Sequence, residues 1–278
     1  MSKVWFITGA GSGIGTAIAR AALHAGDRVV ATGRNLDKVR NALRDVAGDN
    51  LAIVQLDVAR EPQAKAAIEQ AVKRFGRIDV LVNNAGYGLL GNFEEMTTAE
   101  LERQLATNFY GVLHVMHAVL PVMRKQRSGH IINISSMAGV IGFKHCAAYA
   151  ASKFAVEGLS LSVAPEVERF GIKLTLVEPG FFRTDLLDDR NARYPANAID
   201  DYAAEGSVQQ TWSAYNGTQQ GDPAKLGEAL VRIAAMANPP KQFYAGSDAV
   251  AGIRQSLEAR LREIKDYEEL SKSTDGSF

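Results

Sequence analysis

Eight residues, Thr8-Gly9-Ala10-Gly11-Ser12-Gly13-Ile14-Gly15, stand between the apolar run Val4-Trp5-Phe6-Ile7 and a helical stripe of Ile14, Ile18, Ala21, Ala22 and Ala25 that Gly26 ends. A buried strand that passes into a helix through four glycines constrains the fold more than any other feature of the chain. Bare backbone and a helix N-terminus at such a junction are what a dinucleotide pyrophosphate needs. Gly9 and Gly13 suit a tight turn and a close approach to phosphate, while Gly15 lets the helix pack near the strand. The spacing differs from the common G-x-G-x-x-G, and packing alone would also account for the glycines if nothing else pointed to a nucleotide.

Further along, apolar runs of strand length alternate with stretches of helical period, the pattern of βαβ units on a parallel sheet. Arg28–Thr32 reads as a second strand, Leu36, Val39, Leu43 and Val46 mark a helix, and Leu51–Leu56 is a third strand. Pro62 opens a helix to Phe75, as proline does in a first turn, and Val80-Leu81-Val82 is the fourth strand. Thr97-Thr98-Ala99-Glu100 has the form of a capping box, and its apolar period predicts one long helix to about Met123, past Pro121. Strand Ile131–Ile134 follows, then a second long helix from about Tyr149 to Phe170 that Pro165 should bend, then strand Ile172–Val177. From Asp185 to about Gly221 the period fades, as in a lid or a disordered loop. Asp222-Pro223 restarts a helix to about Ala237, Phe243-Tyr244-Ala245 reads as a last strand, Ile253–Tyr267 as a charge-laced amphipathic helix, and Ser271–Phe278 should fray. The expectation is an α/β chain: a Rossmann-type doubly wound parallel sheet in a single domain over 1–278, with a substrate-loop insertion at about 185–222 and an extra C-terminal helix at about 250–270.

A length of 278 residues suits one such domain with a sizeable core. Lysine plus arginine equals aspartate plus glutamate at 31 each, so no global field draws in nucleic acid or an anionic membrane. Small molecules are the expected partners. The lone cysteine, Cys146, forms no intrachain disulfide and suits a reducing compartment, so the cytoplasm is the expected location. Val4–Ile7 is far shorter than the roughly 7–15 apolar residues of a signal-peptide core, and no segment is expected to reach the ~18 apolar residues of a membrane span. A soluble chain without processing is expected.

About twenty residues beyond the turn, a NAD-selective site places a carboxylate at the end of strand two to hold the ribose 2′-hydroxyl. Here the strand ends Thr32-Gly33-Arg34. No carboxylate stands there to repel a 2′-phosphate, and the Arg34 guanidinium pairs well with one. NADP, with NADPH preferred, is therefore the expected cofactor. Asn35 reads as a helix N-cap. Asp37, one turn late for the ribose, keeps NAD open, and a solvated surface arginine is the other reading of Arg34.

Tyr149-Ala150-Ala151-Ser152-Lys153 puts a phenol and an ammonium four residues apart, on one face of a helix. A lysine beside a tyrosine favours phenolate, so the phenol is expected to become a proton donor and acceptor nearer neutrality. Tyr-x-x-x-Lys alone also describes many surface pairs. Ser135-Ser136, however, closes a strand at the carboxyl edge of the sheet, where open α/β folds bind ligands, and a hydroxyl there can polarise the carbonyl oxygen that Tyr149 protonates.

Taken together, these residues resemble the short-chain dehydrogenases/reductases in their single-domain form. The resemblance covers roughly Lys3 to Leu187: the Thr-Gly-x-x-x-Gly-x-Gly turn, Asp57-Val58, Asn83-Asn84-Ala85-Gly86, Asn108, then Ser136, Tyr149 and Lys153, and finally Pro179-Gly180 with Thr184. It implies that Ser136, thirteen positions before Tyr149, is catalytic and Ser135 a neighbour. It also implies that Lys153 binds the nicotinamide ribose, that Asn108 holds a water of a proton relay, and that Asp57 and Val58 contact adenine. Asn84, Ala85 and Gly86 would wall the cofactor, and Thr184 would meet the nicotinamide carboxamide. Taken singly, Asn84 and Asn108 read as residues that satisfy backbone groups and Asp57 as a turn cap. The implied reaction interconverts a carbonyl and an alcohol by hydride transfer with NADPH.

Members of that family that form tetramers often end soon after the last strand, whereas this chain adds a charged helix. The two long helices ending in Met123 and Phe170 resemble those that pair across the family's dimer axis, so a homodimer is expected, with a monomer as the alternative. Phe143, Cys146, Phe181, Phe182 and the aromatics Tyr194, Tyr202, Trp212 and Tyr215 beyond Asp185 would line a pocket for an apolar carbonyl or alcohol; packing the lid on the sheet is their other use. His114 and His117 lack a third ligand, so no metal is expected. A non-catalytic NADP-binding sensor on the same fold, or an epimerase or dehydratase sharing Tyr-x-x-x-Lys, is the rival function class.

Overall fold

The strands alternate their side chains between two apolar layers, and that alternation organises the molecule. In a computed structural model, which describes residues 2–188, 191–203 and 206–276, β1 (Val4–Ile7) sends Trp5 and Ile7 into one layer and Phe6 into the other. All three are fully buried, each contributing about 1.5–3 kcal/mol of apolar burial. The first layer is completed by α1 (Gly13–His24), α2 (Leu36–Leu43) and α9 (Pro223–Ala235). The second is completed by α3 (Glu61–Phe75), α5 (Gly111–Gln126) and α6 (Ala147–Glu168).

Between the layers, β2 (Arg28–Gly33), β3 (Leu51–Gln55), β4 (Val80–Asn83), β5 (Gly129–Ile134), β6 (Ile172–Pro179) and β7 (Gln242–Ala245) join β1 in one parallel sheet. The order is β3-β2-β1-β4-β5-β6-β7. Strand order reverses beside β1, which pairs with β2 on one side and β4 on the other. A crevice opens at the carboxyl ends there, where ligands of doubly wound folds bind. The expected fold class is the one observed.

Local signals act as read. Asn35 caps α2 by accepting from the Lys38 amide, Pro62 sits in the first turn of α3, and Thr97 and Glu100 form the reciprocal capping box. Both α5 and α6 continue through their internal prolines, Pro121 and Pro165.

Three expectations need correction. The single helix over 97–123 is two, α4 (Thr98–Leu105) and α5, joined through a wide π turn at Ala106–Tyr110. The cause is Asn108, whose side chain is drawn inward by Tyr87 and Ser152; such turns concentrate at functional sites. The 185–222 insertion carries helices among its described residues, α7 (Asp200–Ala203) and α8 (Val208–Tyr215). After α10 (Ser247–Asp266), a short α11 (Glu268–Lys272) occupies part of the segment expected to fray; Ser277 and Phe278 lie outside the described residues. Taken whole, Thr98–Gln126 is long and apolar enough by length and composition to cross a membrane, although no such segment was expected. Val112, Val115, Met116, Val119 and Met123 of that stretch are packed against the sheet.

Candidate active site

The turn after β1 is closed by groups that directly follow β4. Gly9 has φ +67°, and a Cβ there would stand 2.9 Å from Ala85 Cα. At Gly15 a Cβ would run into the Gly9 carbonyl and the Asn84 amide, so helix α1 can approach β1 only without a side chain. Asn84 Nδ2 donates to the carbonyls of Thr8 (2.9 Å) and Gly9 (3.2 Å). In return, the Asn84 and Ala85 amides donate to Thr8 Oγ1 at 2.9 and 3.0 Å. Asn84 thus does what its single-residue reading held: it satisfies backbone, and by doing so it fixes the turn.

One cavity of about 770 Å³ runs from this turn across the carboxyl edge of the sheet. Gly9, Gly11, Ser12, Gly13 and Ile14 line one end of it. Thr184 packs on Gly13, while its hydroxyl accepts from the Leu186 amide. Pro179 and Gly180 also line the cavity, and the Asp248 carboxylate occupies the space a Gly180 side chain would take and accepts from the Phe181 amide at 2.7 Å. Arg34, Asn35, Lys38, Asp57 and Val58 line it beside the turn, where Lys38 packs on Gly11. Lys38 was not among the expected site residues, although its place one helical turn beyond Arg34 was the available signal. Asp37 instead pairs with Arg40 at 2.9 Å in the open. Asp57 caps its own turn by accepting from the Ala59 amide.

Ser136, Tyr149 and Lys153 meet between the turn and the insertion. Ser136 follows β5, its hydroxyl accepting from the Ala138 amide, and it lines the cavity together with Tyr149, whose ionisation it favours. Lys153 is 6% exposed; Nζ donates to the Ile134 carbonyl at 2.8 Å and lies 5.7 Å from the Tyr149 ring centre. Burial pushes the Tyr149 phenol up to about 12, with the Ser136 hydroxyl opposing it. Burial likewise brings Lys153 down to about 8, opposed by Glu157. The expectation that the lysine draws the phenol toward neutrality is not met: both groups are desolvated, and the ammonium is spent on the Ile134 carbonyl and the ring face. Asn108 is fully committed, its Nδ2 donating to the Tyr87 carbonyl and to Ser152 Oγ and its Oδ1 accepting from the Tyr87 amide, with Gly86 directly against it.

Behind Lys153 lie two carboxyls that sequence reasoning passed over. Glu157, one turn on, is pushed up to about 7, chiefly by burial, with Ser135 and Lys153 opposing. Glu178 on β6 is driven to about 8 by burial and by Glu157, while it accepts from Gln242 Nε2 and the Phe243 amide. The four-residue step from Lys153 was the signal for Glu157. Glu178 comes near only through the β5–β6–β7 pairing.

Beyond Tyr149 the cavity is apolar. Leu90, Cys146 and Leu187 pack with Phe143, Tyr194 and Trp212. Phe181 stacks on Tyr215 (6.0 Å, 16°) and lies 6.3 Å from Trp212, which anchors α8. The aromatics therefore serve both uses, pocket lining and lid packing. Phe182 also packs with the sheet layer, and Tyr202 binds Glu94 at the surface. Burial raises the Cys146 thiol to about 12, which removes it as a nucleophile. His114 Nδ1 is engaged with the Val58 carbonyl.

A family model described as short chain dehydrogenase matches residues 3–195. The chain is 36% identical to an oxidoreductase of Botryotinia fuckeliana, over 98% of each chain. It is 40% identical to a 3-ketodihydrosphingosine reductase of Bacteroides thetaiotaomicron, over 88% of each. Among solved structures, a short-chain dehydrogenase from Streptomyces avermitilis superposes with a TM-score of 0.90 at 37% identity, covering 99% of this chain and 100% of the other. ElxO with NADP bound superposes at 0.72 and 30% identity, over 87% of this chain and 96% of the other.

Proposed function

The chain belongs to the short-chain dehydrogenase family, and from that premise we propose that it is an NADP(H)-dependent reductase interconverting an apolar ketone or aldehyde and its alcohol, with Tyr149 as acid and base. The convergence of Ser136, Tyr149 and Lys153 on one cavity that also reaches the glycine turn carries the reading. The nicotinamide supplies the hydride when bound. Ser136 orients the carbonyl oxygen. Tyr149 gives its phenolic proton to that oxygen and recovers one in the reverse direction. Lys153, held beneath the ring by the Ile134 carbonyl, binds the nicotinamide ribose, and Asn108 holds the loop at Tyr87 in place. Arg34 and Lys38 favour a 2′-phosphate, and Asp37 is turned to Arg40. The apolar wall of Leu90, Phe143, Leu187 and Trp212 favours a bulky apolar substrate, in keeping with the 3-ketodihydrosphingosine named for the Bacteroides relative.

The protein works in the cytoplasm as a homodimer in this reading. Tyr110 (49% exposed) lies just before α5, and Phe154 (42%) and Leu161 (50%) lie on α6, as an apolar face for a second copy. Light scattering distinguishes dimer from monomer.

The decisive assay follows NADPH oxidation with a panel of apolar ketones and aldehydes, with NADH in parallel. Tyr149→Phe should abolish turnover and leave cofactor binding nearly intact. Normal turnover in that variant would overturn the mechanism. Tight NADPH binding with no turnover across a broad panel in either direction would instead favour a sensor.

A further inference from the structure

Among the described residues, Lys153 is the one buried lysine or arginine. Glu157, one turn on along α6, is equally buried, and Glu178 on β6 is wholly so. Asp27, the other buried carboxyl of the described residues, sits at the opposite edge of the sheet, where it accepts from the Lys3 amide and the Trp5 indole. Gly139 closes over the cluster: a Cβ there would stand 2.6 Å from Ser135 Oγ and 3.1 Å from Glu157 Cγ. Glu178 is held by Gln242 Nε2 at 3.2 Å and by the Phe243 amide at 3.1 Å. Glu157 Oε1 and Ser135 Oγ, in contrast, are buried without a hydrogen-bond partner, a costly arrangement that helix α6 does not require for its own formation.

A buried ammonium persists only where an opposite charge offsets its desolvation. Two carboxylates against one ammonium would leave a net charge in the dry interior, whereas one proton on the pair makes the three groups neutral together. We propose that Glu157 is a positioning residue for Lys153: sharing one proton with Glu178, it supplies the counter-charge that keeps Lys153 an ammonium, and so sets the pH range over which the nicotinamide ribose is held. The consequence for the ribose rests on the proposed role of Lys153; the counter-charge does not. The titratable groups that face Glu157 are Lys153 from its own helix, Glu178 from β6 and Tyr244 from β7, while Tyr149 faces Lys153. Lys153 alone among them can carry positive charge. Its Nζ is bonded to the Ile134 carbonyl rather than to Glu157, so the carboxylate acts across a poorly screened interior. Glu157 opposes the burial that lowers Lys153, and Lys153 in turn opposes the burial that raises Glu157.

The test is an NMR titration of the full-length chain labelled with carbon-13 at lysine Cε, with a melting curve for each variant to verify its fold. One wild-type signal, absent from Lys153→Met, should titrate near pH 8, well below the ~10.4 of ordinary lysines. Glu157→Gln should move that titration about one pH unit lower, and Glu178→Gln should leave it in place. NADPH titrations in parallel should show a loss of affinity in Glu157→Gln that is several-fold larger at about pH 8 than at about pH 6, a pH split that a purely structural defect would not produce. An unmoved Lys153 signal in folded Glu157→Gln would overturn the proposal. If that variant does not fold, Lys153→Met carries the test in reverse, because coupling is mutual: the late-titrating glutamate carboxyl signals should then titrate later still, and unchanged ones would overturn it. Lys153→Met that binds NADPH as tightly as the wild type would overturn the role of Lys153 at the ribose, while the Cε titration, which needs no cofactor, still decides the counter-charge.

Discussion

Gly15→Ala sets two effects of opposite sign against each other. Alanine in a helix interior is favoured over glycine by about 1 kcal/mol, and Gly15 lies within α1. Against this, the new Cβ meets the Gly9 carbonyl and the Asn84 amide, an overpacking that costs about 1–3 kcal/mol. Displacing Asn84 also breaks its bonds to Thr8 and Gly9, worth roughly 0.5–1.5 kcal/mol each. Steric and hydrogen-bond losses win, for a net destabilisation of about 1–5 kcal/mol. At roughly 2–4 °C per kcal/mol for a chain of this size, the melting temperature should fall by on the order of 10 °C, and NADPH affinity should fall with it because the phosphate turn opens. Gly158→Ala is the matched control: within α6, with nothing near its Cβ position, it should hold or raise the melting temperature. Calorimetry and a cofactor titration on both variants decide it. A Gly15→Ala protein as stable as Gly158→Ala, with unchanged NADPH affinity, would refute the argument that the glycine is required by contact across the turn.

Removing both Arg34 and Lys38 should weaken NADPH binding by at least tenfold, about 1.4 kcal/mol, and leave NADH affinity unchanged; equal losses for both cofactors in a fluorescence titration would remove these residues from phosphate recognition. Glu178, raised from 4.5 to about 8, and Glu157, raised to about 7, bind protons more tightly folded than unfolded, so their contribution is whole below pH ~4.5 and is lost as pH rises through 7 to 8. Wild-type melting temperature should therefore decline between about pH 5 and 8, and Glu178→Gln should flatten the decline; parallel curves would contradict the assignment. Trp212→Ala removes the aromatic anchor of α8 from Phe181 and should raise KM for an apolar ketone with little change in NADPH affinity, which steady-state kinetics reads directly.

The sequence by itself determined what neighbours along the chain control. Strand and helix periods, the caps at Asn35 and Thr97 and the proline at the start of α3 are set within a few residues, and they appear as read. The glycine turn is legible for the same reason, since its conformation admits almost no other residues. Tertiary structure decided what depends on elements far apart in the chain. The π turn at Asn108 exists because Tyr87 and Ser152 claim its side chain. Lys38 joins the cavity, and Asp37 leaves it, by the direction in which each side chain departs from α2. The proton affinities of Tyr149, Lys153, Glu157 and Glu178 run against a reading from spacing alone, because desolvation by β5, β6 and β7 outweighs the charge one turn away, and a linear sequence records spacing but not burial.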